Sequence, residues 1–487
     1  MKRGPLPSRR PLLTKLIWLV CVAPIAAEAA RADEGPAAPQ AGASPDLNRE
    51  SDAGSAPSSA TCADAAQTSA TAPTADERFS FHFQATIATQ AHPAFNAAYS
   101  GAHSLQSGAE AATSVVADIF AGARLWKGAE LYFQPEVAGG RGLSSTEGIA
   151  AFPSGEVYRV GDPTPTVVPG RIFYRQVFGL GGGSEQVAAG PNQLAVTRDR
   201  NRFTLTVGKV TTTDFVDNEP LSNDPHTRFL SWGLFASGAF DYPADTRGYT
   251  WGVAADLTVD WWSVRGGMFL EPKQANGMDM EWNIAKARGL VLEGEGRFSI
   301  GEKNGAARLM LFLNDADMGN YREAIADAPA GGVPDVTATR AFGRTKFGFA
   351  ASADLQLSPT LGIFGRLSWD DGQNETWAYT EIDQSLAVGL VQSGARWGRP
   401  GDEAGAAVVA SGLSAAHRAY LEAGGLGFIL GDGGLDYGLE VLGELYYRFG
   451  ITSSIWLIGT YQPVIDPGYN QARGPVNIFT ARAHVAF

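Results

Sequence analysis

The chain has 487 residues, with 38 basic against 51 acidic side chains, a net charge of −13, and two cysteines. The acidic balance argues against nucleic acid as a partner. Only Cys62 lies beyond the N-terminal leader, so the mature chain has no intrachain disulfide.

Residues 1–32 read as a secretory signal. Lys2, Arg3, Arg9, Arg10 and Lys15 form a basic start, Leu16–Ile25 a short apolar run, and Ala30-Arg31-Ala32 a small-x-small cleavage site, with Ala27-Glu28-Ala29 an alternative cut. The apolar run is too short to span a bilayer as a helix. Removing the leader takes away six basic residues and one acidic residue, giving a net charge of about −18. Residues 33–78 are rich in Ala, Pro, Ser, Thr and Asp and almost devoid of large apolar side chains. Such a stretch buries too little surface to offset its ordering entropy, so it is expected to be a disordered linker.

From Phe79 to Phe487 the pattern changes to period-two alternation, the mark of strands with one apolar and one polar face. FSFHFQATI sets Phe79, Phe81 and Phe83 against Ser80, His82 and Gln84. Segments follow near 113–126, 129–138, 171–178, 202–210, 249–259, 261–270, 289–300, 306–314, 345–357 and 361–370. Two weaker ones lie near 379–391 and 402–411, and the last three are 438–450, 453–464 and 476–487. Sixteen strands result. About ten residues at ~3.3 Å each, tilted ~40°, cover about 25 Å, the height of an outer-membrane apolar band.

The stretch from Arg202 to Val259 is the most telling. RFTLTVGKV and YTWGVAADLTV both alternate, and between them lies a loop far longer than an ordinary hairpin connection, rich in Asp, Asn, Arg and aromatics. It suits a membrane barrel with a loop folded into its mouth, or a soluble β-protein with a long surface loop. Loop lengths favour the barrel. With the first strand running outward, the long connections near 92–112, 139–170, 211–248, 271–288, 315–344 and 412–437 fall outside. The short ones at Lys127-Gly128, Asp260, Glu302–Gly305, Ser358–Thr360 and Ile451-Thr452 fall on the periplasmic side. Connections 179–201 and 392–401 break the rule and suggest a misplaced strand. Tyr249, Trp262, Trp369, Phe449 and Phe487 are placed as interfacial aromatics on the outward face.

The fold class is therefore all-β, a 16-stranded antiparallel transmembrane β-barrel of the bacterial outer membrane, with a signal peptide (1–32), a linker (33–78) and the barrel (79–487). Its inward faces would carry Arg265, Glu293, Arg297, Arg366, Glu440, Glu444 and Arg448, and its long loop Asp214, Asp217, Asn218, Asp224, His226 and Arg228 as constriction groups. Both signs of charge are interspersed. A neutral polyol needs donors and acceptors close together, and charged partners make the stronger bonds; a one-signed wall would suit ions. Asp224-Pro225 is expected to start a helix over HTRFLSWGLF, and Ser414 one over AAHRAYLEA ending at Gly424-Gly425.

No catalytic residues are assigned. Glu293 and Glu295 have a glycosidase-like separation, but alternation produces that spacing in any polar-walled barrel. Asp315-x-Asp317-x-Gly319 opens like a calcium loop, yet its twelfth position is Ala326. The six histidines lack metal spacing. No cofactor or metal is expected, with a loop-bound calcium left open.

VGKVTTTDFVDN, NDPHTRFLSWGL, DYPADTRGYTWG, NDADMGNYREA, GDEAGAAVVASGLSAAHRAYLEAGG and GLEVLGELYYRFGI…TYQPVIDPGYN together resemble the matching segments of the carbohydrate-selective porin family (OprB type), over about Phe79 to Phe487. The resemblance implies an outer-membrane channel for passive diffusion of small, glucose-like sugars into the periplasm. A nonspecific pore for small polar or charged solutes is the alternative. Implied partners are sugars, outer-membrane lipids with lipopolysaccharide, and the barrel assembly machinery, with a homotrimer as an open option. The low-complexity linker departs from the family pattern.

Overall fold

The computed structural model describes residues 76–157 and 163–487; the signal and most of the linker lie outside the described residues. The described chain forms β1 (Phe79–His92), β2 (Glu110–Trp126), β3 (Ala129–Gly140), β4 (Thr166–Gly179), β5 (Ser184–Val187), β6 (Val196–Asp199), β7 (Arg202–Val210), β8 (Thr250–Val259) and β9 (Trp262–Phe269). It continues with β10 (Arg288–Ile300), β11 (Lys303–Met318), β12 (Ala341–Ser358), β13 (Leu361–Asp370), β14 (Gln384–Ser393), β15 (Glu403–Gly412), β16 (Glu440–Gly450), β17 (Ile455–Ile465) and β18 (Val476–Ala486). All but β5 and β6 pair antiparallel with their neighbours in one closed barrel, sealed where β1 meets β18, from Gln84 opposite Ala486 to Ala91 opposite Phe479. In lipid each backbone group must be paired within the protein, and closure meets that demand by leaving no edge.

Alternation decides which side chain faces what. On β11, Leu309 and Leu311 are more than half exposed, whereas Arg308 and Met310 between them are buried. Leu292, Phe347, Leu367, Leu386, Leu445, Leu457 and Phe479 face outward in the same way, and Glu293, Lys346, Arg366, Glu444, Ile458 and Thr480 beside them face in. Greasy residues therefore look at lipid, as expected. Trp369, Phe449 and Phe487 are exposed and sit at strand ends. Tyr249 does not join them. The strand begins at Thr250, and Tyr249 turns into the lumen, where its hydroxyl donates to Glu136.

The connections sort by length as the sequence suggested. Lys127-Gly128, 260–261, 301–302 and 359–360 are tight turns on the side of the chain ends. Gly128 adopts φ +77°, and a Cβ there would lie 2.2 Å from the Val177 carbonyl, so the turn requires glycine. The suspect connection 179–201 hides no barrel strand; it carries the separate hairpin β5–β6. The other, 394–402, holds only a short 3-10 turn, Gly394–Trp397. The weak segment near 379–391 starts later, at Gln384. Asp76 and Glu77, assigned above to the linker, are bonded to Thr197 of β6 and to Ala195 just before it, so contacts to the barrel domain begin ahead of the first strand.

The long connections lie on the opposite side and pack together. Helix α1 is the single turn Trp232–Phe235, α2 is Tyr321–Asp327 and α3 is Ala415–Glu422. Ser414 caps α3 by accepting from the His417 N–H, and Gly424 closes it at φ +87°, as the sequence predicts. Tyr321 stacks on His417 at 4.3 Å and tilts against Tyr420 at 5.1 Å, fastening α2 to α3.

Leu311 lies near the middle of its strand on the lipid face. Leu311→Arg is expected to destabilise the refolded barrel by about 2–4 kcal/mol, read from urea titrations in lipid vesicles; a change below the error of that titration would refute the outward assignment.

Candidate functional site

Two long loops enter the barrel together, and the 371–383 connection brings Tyr379 beside them. The β3–β4 connection supplies 142–157 and the β7–β8 connection supplies 211–249. They hydrogen-bond to each other: the Trp232 N–H donates to the Phe152 carbonyl, Gly233 to Ala151, and Gly155 to Leu230.

Both loops are pinned to one arc of the wall by inward carboxylates that accept from backbone N–H groups. Glu440 accepts from Ala150 (2.9 Å), Ala151 (2.8 Å) and Gly468 (2.7 Å). Glu444 accepts from Leu230 (2.6 Å) and Ser231 (3.0 Å), and Glu293 from Asp217 (2.7 Å). Charged acceptors of this kind make the stronger hydrogen bonds and meet the demand of loop N–H groups that have no ladder partner. Arg366 grips the same loop through the Asp217 carboxylate (2.5 Å), Ser222 and the Phe235 carbonyl. Arg228 forms a two-point pair with Glu403 at 3.0 and 3.2 Å. Apolar packing completes the attachment: Ile149, Phe152, Phe229 and Leu234 share a buried cluster with Ala387, Val409, Leu442 and Tyr446 of the wall.

The expected helix over 226–235 is correspondingly cut down. Asp224 does cap the N–H groups of His226 and Thr227, and the Arg228 N–H closes a single turn on the Asp224 carbonyl at 2.9 Å, but the chain then runs along Glu444 and becomes helical again only at α1, after Ser231. Two backbone N–H groups committed to one carboxylate cannot also sit in a helical ladder.

The opposite arc stays open. A cavity of about 560 Å³ runs between the loops and the inner faces of β1–β4. On the wall side stand Gln84, Asp118, Gln134, Glu136, Arg171 and Arg175; on the loop side Asp214, Asn218, Asp224 and His226. Gln84 and Gln134 donate to the two oxygens of Asp118 at 2.8 and 2.7 Å. Arg171 bridges the gap: its Nε and Nη2 each reach Asp214 at 2.7 Å, and its Nη1 reaches Gln134 at 2.6 Å. The same cavity is bordered by a ladder of rings. Trp232 stacks on Tyr379 at 4.3 Å and 16°, and Tyr379 on Tyr242 at 5.0 Å and 9°. All three border the cavity.

The thirteen residues singled out from sequence thus separate. Asp214, Asn218, Asp224 and His226 border the cavity; Asp217 and Arg228 are buried loop anchors. None of the seven wall groups borders it. Glu293, Arg366, Glu440 and Glu444 hold the loop. Arg448 pairs with Glu403 and donates to Thr227, while Arg265 and Arg297 join Glu293, Glu295 and Asp256 in an ion-pair network nearer the β8–β9 turn. Sequence reasoning left out Arg171, Arg175 and Asp118. Alternation along RIFYRQVF puts Arg171, Phe173 and Arg175 on one face, and that signal was available. Nothing local marks Tyr379, which arrives from a different connection. Asp315, the first residue of the calcium-like motif, pairs with Arg288 at 3.0 Å. Among the described residues no three His, Cys, Asp or Glu side chains converge as a metal site.

A closed sixteen-strand barrel, greasy outside, polar inside and narrowed by an inserted loop, is a diffusion channel of the porin class. Residues 102–487 match the carbohydrate-selective porin, OprB family, and the chain belongs to that family. It is an outer-membrane channel for sugars. Among solved structures, the high-pH structure of Pseudomonas putida OprB superposes with a TM-score of 0.63 at 16% identity, over 84% of this chain and 94% of that one. The low-pH structure of the same protein gives 0.46 at 13% identity, over 84% and 93%. The outer-membrane channel DcaP of Acinetobacter baumannii gives 0.47 at 9%, over 84% and 97%. The first of these shows the fold. Among curated proteins no significant match is found.

His226 is the titratable link between the loops. Burial disfavours its charged ring, but Glu156 at 2.6 Å, with Asp224 nearby, outweighs that and raises its pKa to about 10. A raised folded-state value means that this contribution to stability is complete below the unfolded value of about 6.5 and is lost as pH climbs through about 10. Protection of 150–157 against amide exchange, corrected for intrinsic rate, should therefore fall between pH 7 and pH 10.5 in the wild type. In His226→Gln it should already be reduced at pH 7 and change little.

Proposed function

We propose that the solute is a glucose-sized neutral sugar, and that it passes between the Asp118–Gln134–Arg171 row and the Trp232–Tyr379–Tyr242 ladder. The observation that carries this reading is that both groups line one cavity. A pyranose has hydroxyls around its rim and C–H groups on its faces. Rim hydroxyls need donors and acceptors at close spacing, which the row supplies; an aromatic face packs against the C–H side. The cavity lining mixes both signs, Asp118, Glu136, Asp214 and Asp224 with Arg171, Arg175, Arg247 and His226, so it offers hydrogen bonds without the one-signed wall that suits ions. Glu136, Asn218, Asp224 and His226 extend the polar lining.

On this reading movement is passive, down the gradient, with no catalytic step, cofactor or metal. Glu293, Arg366, Glu440 and Glu444 serve transport indirectly, by holding the loop that narrows the lumen. The lipid-facing surface would meet outer-membrane lipid and lipopolysaccharide, and insertion of the closed barrel would call on the barrel assembly machinery. Whether three copies associate would be read from native mass.

Purified protein in liposomes should admit glucose faster than protein-free vesicles do; equal rates would refute the sugar reading. Trp232→Ala should weaken glucose blockade of single-channel current about tenfold, the equivalent of ~1.4 kcal/mol of ring contact, while ionic conductance rises. A blockade constant unchanged from wild type would remove the aromatic ladder from the solute path.

A further inference from the structure

The cavity has a floor as well as a roof, and the floor comes from the side where porin connections are ordinarily short. Between β5 and β6 the chain doubles back at Gly190-Pro191-Asn192-Gln193. Gly190 and Gln193 exchange both backbone hydrogen bonds at 3.0 Å, and Asn192 adopts φ +54°. Proline followed by a left-handed Asn is the chemistry of a type II turn. The tip does not hang into the periplasm: Pro191, Asn192 and Gln193 border the cavity. Asn192 Nδ2 donates to Gln134 Oε1 at 3.1 Å, the same oxygen that accepts from Arg171. Arg175 Nη1 donates to the Asn192 carbonyl at 3.3 Å and lies 3.5 Å from Gln193 Oε1. Behind the tip, Leu194 is buried against Tyr132 and Phe173, and its N–H donates to the Tyr132 hydroxyl at 3.1 Å.

A strap holds the turn in that position. Glu77 exchanges two hydrogen bonds with Ala195, one from its N–H at 2.9 Å and one to its carboxylate at 3.0 Å. Asp76 accepts from the Thr197 N–H at 2.8 Å and pairs with Arg124 at 3.0 Å, while Arg124 also donates to the Ala195 carbonyl. The residues just before the first strand therefore clamp the only periplasmic-side connection that, among the described residues, reaches the cavity.

We infer that the Pro191-Asn192-Gln193 tip is the periplasmic lip of the constriction, a rate- and specificity-determining element for sugar leaving the channel, and that Asp76 and Glu77 are positioning residues for it. The inference rests on the proposed sugar path through this cavity. A lip on one side changes the barrier on that side and leaves the other barrier in place. Removing it should raise the association rate for sugar added from the periplasmic side and shorten each blockade, with little change in association from the outer side.

The test is current-noise analysis of the full-length protein in planar bilayers, with glucose on one side at a time and insertion direction fixed from the current–voltage asymmetry. Asn192→Ala/Gln193→Ala should raise conductance at least twofold and the periplasmic-side association rate at least threefold, with the outer-side rate within twofold of wild type. Asp76→Ala/Glu77→Ala, which leaves the tip chemistry intact, should show the same one-sided change to a smaller degree. Rates unchanged from both sides, or raised equally from both, would overturn the lip. Wild-type channels without glucose-induced noise would instead overturn the sugar path itself. Heat-modifiable migration in gels confirms that each variant is folded, and Gln193→Asn, which keeps both amides and the left-handed Asn192, should keep the wild-type outer-to-inner rate ratio.

Discussion

Closure of the sheet between β1 and β18 is the constraint from which the rest follows. A barrel in hydrocarbon has no water to satisfy an open edge, so sixteen strands must return to the first and leave no strand without a partner on either side. Once closed, alternation leaves no freedom of assignment. Each outward residue must tolerate lipid, and each residue between must be accommodated inside. The interior of this protein is where its acidic excess and many of its buried charges are spent.

What fills the interior is asymmetric, and the cause is a small set of carboxylates. Glu440, Glu444 and Glu293 accept backbone N–H groups from two loops that would otherwise have to remain in water. Each bond removes an unpaired donor from the lumen and fixes a loop on the β10–β17 arc. The apolar cluster around Phe229 and Leu442 then makes that half of the barrel solid. What remains open is a cavity along β1–β4, lined by polar side chains and by aromatic rings. Charges that look like channel lining in a period-two reading are in large part the fastenings of its plug.

The long outer connections and the periplasmic tip approach the same place from opposite ends. They meet through the wall: Asn192 of the tip and Arg171 of β4 both donate to the Gln134 oxygen, Arg171 also holds Asp214 of the outer loop, and the Gln134 amide donates to Asp118. Gln134, near the middle of β3, and Arg171 beside it thus couple wall, roof and floor, joining elements far apart in the chain.

Strand count, the facing of Leu311 against Arg308, the tight turns such as Lys127-Gly128, and the capped helix at Ser414 were all legible in the sequence, because each depends on neighbours within a few residues. Family membership was legible in the same local way, through motifs in order. The sequence did not reveal that Tyr249 turns inward, that the helix after Asp224 yields to Glu444, or that Arg171 and Tyr379 border one slot while Arg366 and Glu440 do not. Those outcomes depend on which arc of the wall a loop leans against. That choice is made by hydrogen bonds between residues hundreds of positions apart, such as Glu440 with Ala150, and it exists only once the barrel has closed and brought the partners within reach.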